Sequence, residues 1–283
     1  MNREDIIEKT KETLLRAAST FRSDQIEAYR RAMDAESNDR AGWVLETILE
    51  NARTAEQNCG PLCDDTGIPH LLLELGRGGS ISRELIDAIR EGVALGLRQL
   101  PGRPMAVMGD DRHRLDQSDG LSEDPADMVP APLMICETED PVVRLTILMQ
   151  GGGPEIRSNT YRVFHKHSVD VILHQIVEWA SAATAKLGCT PSTLAVGIGR
   201  SHYEASSLML QAMAGGSLDV QSDLEKEITT RVNQTGTGPL GLGGGTTVLG
   251  TFLRVGPQRA SGVRIVCLRP CCCFEPRRAS VEL

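Results

Sequence analysis

Apolar positions in the first fifty residues recur at helical intervals. Ile6, Ile7, Leu14 and Leu15 stand among charges, and Val44, Ile48 and Ala52 repeat every fourth residue, so the chain is predicted to open with a helical lobe. After Asn58 the period breaks into Cys59-Gly60-Pro61-Leu62-Cys63-Asp64-Asp65-Thr66-Gly67, a turn-rich loop, and an apolar run at 71–75 then reads as a buried strand. Leu85, Ile86, Ile89, Val93 and Leu97 mark a further helix. Residues 109–130 are polar, acidic and too many for an ordinary connection, and they read as a flexible insertion or flap.

Aliphatic and β-branched residues over 142–149 predict a strand that ends at Gly151-Gly152-Gly153, where a backbone without side chains can approach a ligand. A helix through Ile172, Ile176, Trp179 and Ala183 is expected to stop at Gly188, a left-handed cap, and to deliver Cys189-Thr190-Pro191 to a strand over 193–199. Ser201-His202-Tyr203-Glu204 spells a capping box for the next helix. A glycine-rich loop at 236–245 precedes strand-like runs at 246–255 and 263–268. Strands alternating with helices predict a mixed α/β (α+β) fold: an N-terminal helical segment, then two small mixed-sheet lobes flanked by helices. Residues 1–283 are read as one catalytic domain, divisible into two lobes, with no internal repeat.

Composition narrows the function. With 40% hydrophobic residues, the 283-residue chain can bury a substantial core, while 30 Lys+Arg against 38 Asp+Glu give a net charge of −8. That balance argues against nucleic-acid or anionic-membrane partners, and 3% aromatic content leaves few platforms for stacking bases. Glu4, Asp5, Glu8 and Glu12 interrupt the first helix too often for a secretory signal, and no apolar run approaches the ~20 residues of a membrane span. A cytoplasmic protein is expected.

In that compartment eight cysteines point to metal or catalysis rather than to disulfides. Cys63 before an Asp pair, Cys189 before Thr-Pro, and the cluster Cys271-Cys272-Cys273 all fall in loop context and favour ligation by soft thiolates. Cys136, Cys59 and Cys267 read as small packing residues. Zinc is the weaker metal reading, because the chain has no Cys-x-x-Cys knuckle, only Cys59-x-x-x-Cys63 and a contiguous triplet. A dinucleotide site at Gly197-Ile198-Gly199 fails because His202 stands where the third glycine belongs.

Four segments occur in a telling order: Leu62-Cys63-Asp64-Asp65-Thr66-Gly67; Gly151-Gly152-Gly153-Pro154-Glu155; Cys189-Thr190-Pro191 with Val196-Gly197-Ile198-Gly199; and Cys273-Phe274-Glu275-Pro276-Arg277-Arg278-Ala279. Together they resemble the α subunit, or N-terminal catalytic region, of the class I iron-sulfur fumarases and L-tartrate dehydratases. The resemblance implies a hydro-lyase acting on a small dicarboxylate such as fumarate, malate or tartrate. It also implies a four-iron, four-sulfur cluster held by Cys63, Cys189 and Cys273, with one iron lacking a cysteine. That iron would act as a Lewis acid on the substrate hydroxyl.

By the same resemblance Asp65 is a catalytic candidate, although a loop carboxylate that caps nearby amides would look the same. Asp64, which stands where the family has Gln, Arg103, and the amides of Gly152 and Gly153 become substrate-binding candidates, Arg103 as a bidentate carboxylate clamp. Cys271 or Cys272 remains open as a replacement for Cys273. The family's remaining base and clamps lie in a β subunit or C-terminal domain, so a separate β-type partner is expected. The competing reading is a non-catalytic iron-sulfur or zinc-binding redox or scaffold protein.

Overall fold

The computed structural model describes residues 2–103 and 105–283. Met1, at the head of the predicted N-terminal helix, and Pro104, beside Arg103, lie outside the described residues. In chain order the elements are α1 (Arg3–Ser19), α2 (Ser23–Ala35), α3 (Asp39–Gln57), β1 (Ile68–Leu75), α4 (Arg83–Gln99), α5 (Asp111–Asp116), β2 (Met134–Glu137), β3 (Val143–Gln150), the single turn α6 (Gly152–Glu155), β4 (Asn159–Phe164), α7 (Val169–Thr184), β5 (Ser192–Gly199), α8 (His202–Gly215), α9 (Asp223–Asn233), β6 (Val248–Val255), β7 (Val263–Cys271) and β8 (Arg277–Glu282). The mixed α/β class with leading helices and two small mixed sheets is what the periodicities predict. The chain divides into two compact units and passes between them after Thr20, within α3 after Asn51, after Gly151 and after Pro276.

The first unit comprises residues 2–20, 52–151 and 277–283. Its sheet has the order β2-β1-β3-β8, parallel between β1 and β2 and antiparallel elsewhere. Leu71 and Leu73 of β1, Leu145 and Ile147 of β3, Leu14 of α1, and Val93 and Leu97 of α4 form its core. Each fully buried aliphatic side chain contributes about 1.5–3 kcal/mol. The α1 and α4 backbones pack closely because Gly92 has no side chain: a Cβ there would lie 2.6 Å from the Ile7 carbonyl oxygen. Within 109–130, Asp110 caps α5 by accepting from the amides of Arg112 and His113, a 3-10 turn spans Pro125–Asp127, and Val107 bridges to Leu121. The predicted insertion therefore carries local structure of its own.

The second unit comprises residues 21–51 and 152–276, with sheet order β4-β7-β5-β6. Strand β5 is buried along its whole length, as its apolar sequence requires. Val196, Ile198, Leu268, Ile176 and Ile228 anchor its core. Gly197 and Gly199 of β5, part of the dinucleotide-like pattern, serve packing against α8: a Cβ on Gly197 would meet the Ala205 carbonyl oxygen at 2.1 Å, so the glycines let helix and strand touch.

Several boundaries differ from the predicted ones. Helix α7 ends at Thr184 rather than Gly188, since Lys186 and Leu187 donate to the Ala183 and Thr184 carbonyls and tighten the last turn; Gly188, at φ +79°, still turns the chain. At α8 only half of the capping box forms. Ser201 accepts from the Glu204 amide, but the Glu204 carboxylate turns to the Arg200 amide and guanidinium. Strand β7 runs on through Pro270 to Cys271, because β5 still pairs with both residues, while β4 ends opposite Leu268 and leaves Pro270 with a neighbour strand on one side only. Cys59 is not a packing residue: it is exposed at φ +50° where α3 turns into the loop. Cys136 is only half-buried, because β2 is an edge strand, whereas Cys267 is buried as predicted. Strands β4 and β8 and helix α9 had no clear apolar signature. No helix among the described residues is long and apolar enough to cross a membrane.

Candidate functional site

In the first unit the loop of residues 63–67 is held from three sides. The Leu62 amide donates to the Ala18 carbonyl at 2.9 Å, anchoring the start of the loop to α1. Arg277, the first residue of β8, donates from Nη1 to the Asp65 carbonyl at 2.7 Å. Gly67 sits at φ +82°, and a Cβ there would lie 2.6 Å from Arg277 Nη2 and 2.9 Å from the Gln150 carbonyl oxygen, so the last position of the motif has to be glycine on two grounds.

Arg103 reaches the same loop. Its carbonyl accepts from Thr66 Oγ1 at 3.3 Å, and its Nη1 lies 3.6 Å from Asp64 Oδ2. The chain around Arg103 can approach because Gly102 has no side chain; a Cβ there would meet Thr66 Oγ1 at 2.3 Å. The Asp64–Arg103 ion pair is exposed, with side-chain accessibilities of 83% and 57%, so it contributes only about 0–1 kcal/mol. Asp64 also accepts from Cys63 Sγ at 3.6 Å. Asp65 is half-buried, with one carboxylate oxygen withdrawn from solvent. The first unit thus brings together Cys63, Asp64, Asp65 and Arg103.

In the second unit Cys189 and Cys273 are neighbours. The Cys273 amide donates to the Cys189 carbonyl at 2.9 Å, although the two residues lie far apart in sequence. Each loop has its own support. Thr190 donates from Oγ1 to the Gly238 carbonyl at 2.6 Å, and its own carbonyl accepts from the Leu240 amide at 3.0 Å, so the glycine-rich loop is fastened beside Cys189. Gly238, at φ +69°, packs so closely on Gly243 that a Cβ would lie 2.0 Å from its carbonyl oxygen. On the other side the Tyr29 hydroxyl donates to the Cys273 carbonyl at 2.6 Å. Burial pushes the Tyr29 phenol well above its usual range, so it stays a donor. Phe21 stacks on Tyr29 and tilts against Phe274, closing an aromatic support under the loop.

Cys271 faces elsewhere. It is the last residue of β7, and its Sγ lies 3.5 Å from Arg269 Nη1 in a fully buried setting. Burial raises its thiol far above the ordinary value, so the thiolate form that metals require is disfavoured. Arg269 also binds Glu275 at 2.5 Å and Glu155 at 3.2 Å. Gly152 and Gly153 are exposed in α6, and a Cβ on Gly153 would meet nothing within 4 Å.

Reading the sequence missed four contributors: Arg277, Tyr29, Arg269 and the glycine-rich loop. The loop was visible as a loop, and Arg277 as part of a motif, but neither Tyr29 nor Arg269 carries a local signal that would separate it from a packing or solvated residue. Among the described residues there is no disulfide, and no group of three or more His, Cys, Asp or Glu could hold a single metal ion. A cluster asks instead for one soft thiolate per iron. Cys189 and Cys273, reduced and on neighbouring supported loops of the second unit, are thiol donors of the kind such a cluster takes; Cys63 lies on a loop of the first unit.

Comparison with known proteins adds a family. The profile described as fumarate hydratase (Fumerase) matches residues 7–282. A Methanocaldococcus jannaschii protein provisionally named L(+)-tartrate dehydratase subunit alpha is 26% identical over 94% of this chain and 93% of its own length. The L(+)-tartrate dehydratase subunit alpha of Escherichia coli K12 is 21% identical over 88% of this chain and 81% of its own. A Geobacillus stearothermophilus protein provisionally named class I fumarate hydratase is 25% identical, and this chain spans 49% of its length.

Proposed function

We propose, for a chain that belongs to the fumarate hydratase (Fumerase) family, that it supplies the iron-sulfur half of a hydro-lyase that adds water to, or removes it from, fumarate/malate or tartrate. The observation that carries the reading is the backbone bond from the Cys273 amide to the Cys189 carbonyl, which joins the loops of two residues of the proposed three-cysteine ligand set. Cys63 is the third. An iron without a cysteine would polarise the substrate hydroxyl as a Lewis acid.

The remaining roles belong to the chain's own groups. Arg103 clamps a substrate carboxylate; its exposed partner Asp64 is weakly held, so the guanidinium can be recruited at little cost. The Gly152 and Gly153 amides donate to substrate oxygens from the turn after β3, and Asp64 accepts from a substrate hydroxyl. Asp65, whose backbone carbonyl is held by Arg277, gives or takes the proton at substrate carbon or oxygen. A β-type subunit completes the site, in keeping with the subunit alpha names of the relatives.

The test is anaerobic co-expression with a β-type tartrate dehydratase subunit, followed by iron and sulfide analysis and assays with fumarate, L-malate and L-tartrate. The expected result is one four-iron, four-sulfide cluster per chain and turnover of one of these acids only in the assembled enzyme. Zinc in place of iron and sulfide, or turnover of none of them by a cluster-loaded complex, refutes the reading.

A further inference from the structure

Among the described residues Arg269 is the largest side chain with no solvent exposure, and the reaction outlined above leaves it without a role. It stands in the middle of a sheet, on β7, paired in register with Ala195 of the fully buried β5. From there the guanidinium uses its whole fork. Nη1 and Nη2 meet the two oxygens of Glu275 at 2.5 and 3.3 Å, Nε meets Glu155 Oε2 at 3.2 Å, and Nη1 also touches Cys271 Sγ at 3.5 Å. The partners lie on different pieces of chain. Glu275 belongs to the loop that carries Cys273, and its amide donates to the Cys272 carbonyl. Glu155 ends α6, the turn that begins with Gly152 and Gly153.

We infer that Arg269 is a positioning residue, fixing the α6 turn through Glu155 and the Cys273 loop through Glu275 in one frame. The inference rests on the ligand and amide roles proposed above and adds what sets the geometry between them. The three groups differ in a way that favours positioning over general stability. Glu275 is fully buried with Arg269, whereas the Glu155 side chain is 56% exposed. An exposed carboxylate gains little stability from an ion pair, so the directional link at Nε matters chiefly for where α6 is held. Burial alone would lower the Arg269 pKa, but the Glu275 and Glu155 carboxylates outweigh it and hold the guanidinium above its ordinary value, so the charge that makes both links persists at every working pH.

Two variants of the full chain, purified anaerobically with the cluster, test this: Glu155→Ala, which cuts one link and leaves the buried pair intact, and Arg269→Gln with Glu275→Gln, which replaces the buried charges by a neutral pair. Iron and sulfide content, the EPR spectrum of the reduced cluster, its response to added fumarate or tartrate, and the rate of iron loss to a chelator are measured. Glu155→Ala is expected to keep its cluster and thermal midpoint while the dicarboxylate concentration that half-saturates the EPR response rises about tenfold. The double variant is expected to lose iron about 10–100-fold faster, as loss of support behind a metal ligand typically causes.

A purely structural pair would change yield or melting and leave these per-cluster quantities alone. An unaltered dicarboxylate response in Glu155→Ala overturns the inference, and that arm decides by itself if the double variant does not fold. A wild-type chain without a cluster, or with one that ignores dicarboxylates, instead refutes the proposed function and takes this inference with it.

Discussion

Replacing Gly67 by alanine puts the proposed catalytic loop under a measurable load. At φ +82° an L-residue other than glycine costs about 1–2 kcal/mol. The new methyl would also begin 2.6 Å from Arg277 Nη2 and 2.9 Å from the Gln150 carbonyl oxygen. The guanidinium could swing away, but the strand carbonyl cannot, and crowding of this kind adds about 1–3 kcal/mol. The expected loss is therefore about 2–5 kcal/mol, or at least about 4 °C in melting temperature for a protein of this size. Displacing Arg277 would also break its bond to the Asp65 carbonyl, so turnover of the assembled enzyme should fall by more than the loss of folded protein accounts for. The assay is urea unfolding followed by far-UV circular dichroism, with Gly60→Ala as control, because a Cβ on Gly60 meets nothing within 4 Å and its φ is ordinary. That control should lie within about 1 kcal/mol of the parent. A Gly67→Ala protein as stable as the control would refute the argument that this loop is pinned between β3 and β8.

Other outcomes follow from the same geometry. Ser substitution of Cys63, Cys189 or Cys273 should each lower iron and sulfide content under anaerobic purification, while Cys267→Ser and Cys271→Ser retain the cluster; full retention in Cys273→Ser with loss in Cys271→Ser would shift the ligand by two residues. Asp65→Asn should keep the cluster and lower turnover of the assembled enzyme about 10²–10⁴-fold, the usual effect of removing an acid-base group, and normal turnover would leave Asp65 as a capping carboxylate. Mass-spectrometric mapping after brief iodoacetamide treatment at pH 8 should find exposed Cys59 modified and Cys271 untouched, because burial raises the Cys271 thiol and withdraws it from reagent; equal labelling of the two would contradict the buried setting beside Arg269.

Short-range patterns settle much of this protein before folding is considered. Helical and strand periods are local properties, so the leading helices, the buried strands around Leu71, Leu145 and Val196, and the mixed α/β class can all be read from neighbouring residues. Loop-borne cysteines and glycine runs are equally local, which is why Cys63, Cys189 and the terminal triplet stand out as candidates without any structure. Registry is different. It depends on pairings between distant segments, and no periodicity encodes which distant residue will be met. Tyr29 supports Cys273 across 244 residues, Arg277 holds Asp65 across 212, and Arg269 reaches Glu155 across 114.

The terminal cysteines show the consequence most directly. In sequence Cys271 and Cys273 are near-equivalents, two positions apart. In the fold β7 continues through Pro270 to Cys271 because β5 still pairs with it there after β4 has ended, which seals Cys271 beside a buried guanidinium, while Cys273, also buried, lies on the loop beyond and donates its amide to the Cys189 carbonyl. Where a strand ends is decided by the partner strand beside it, and that partner is chosen only by the tertiary structure.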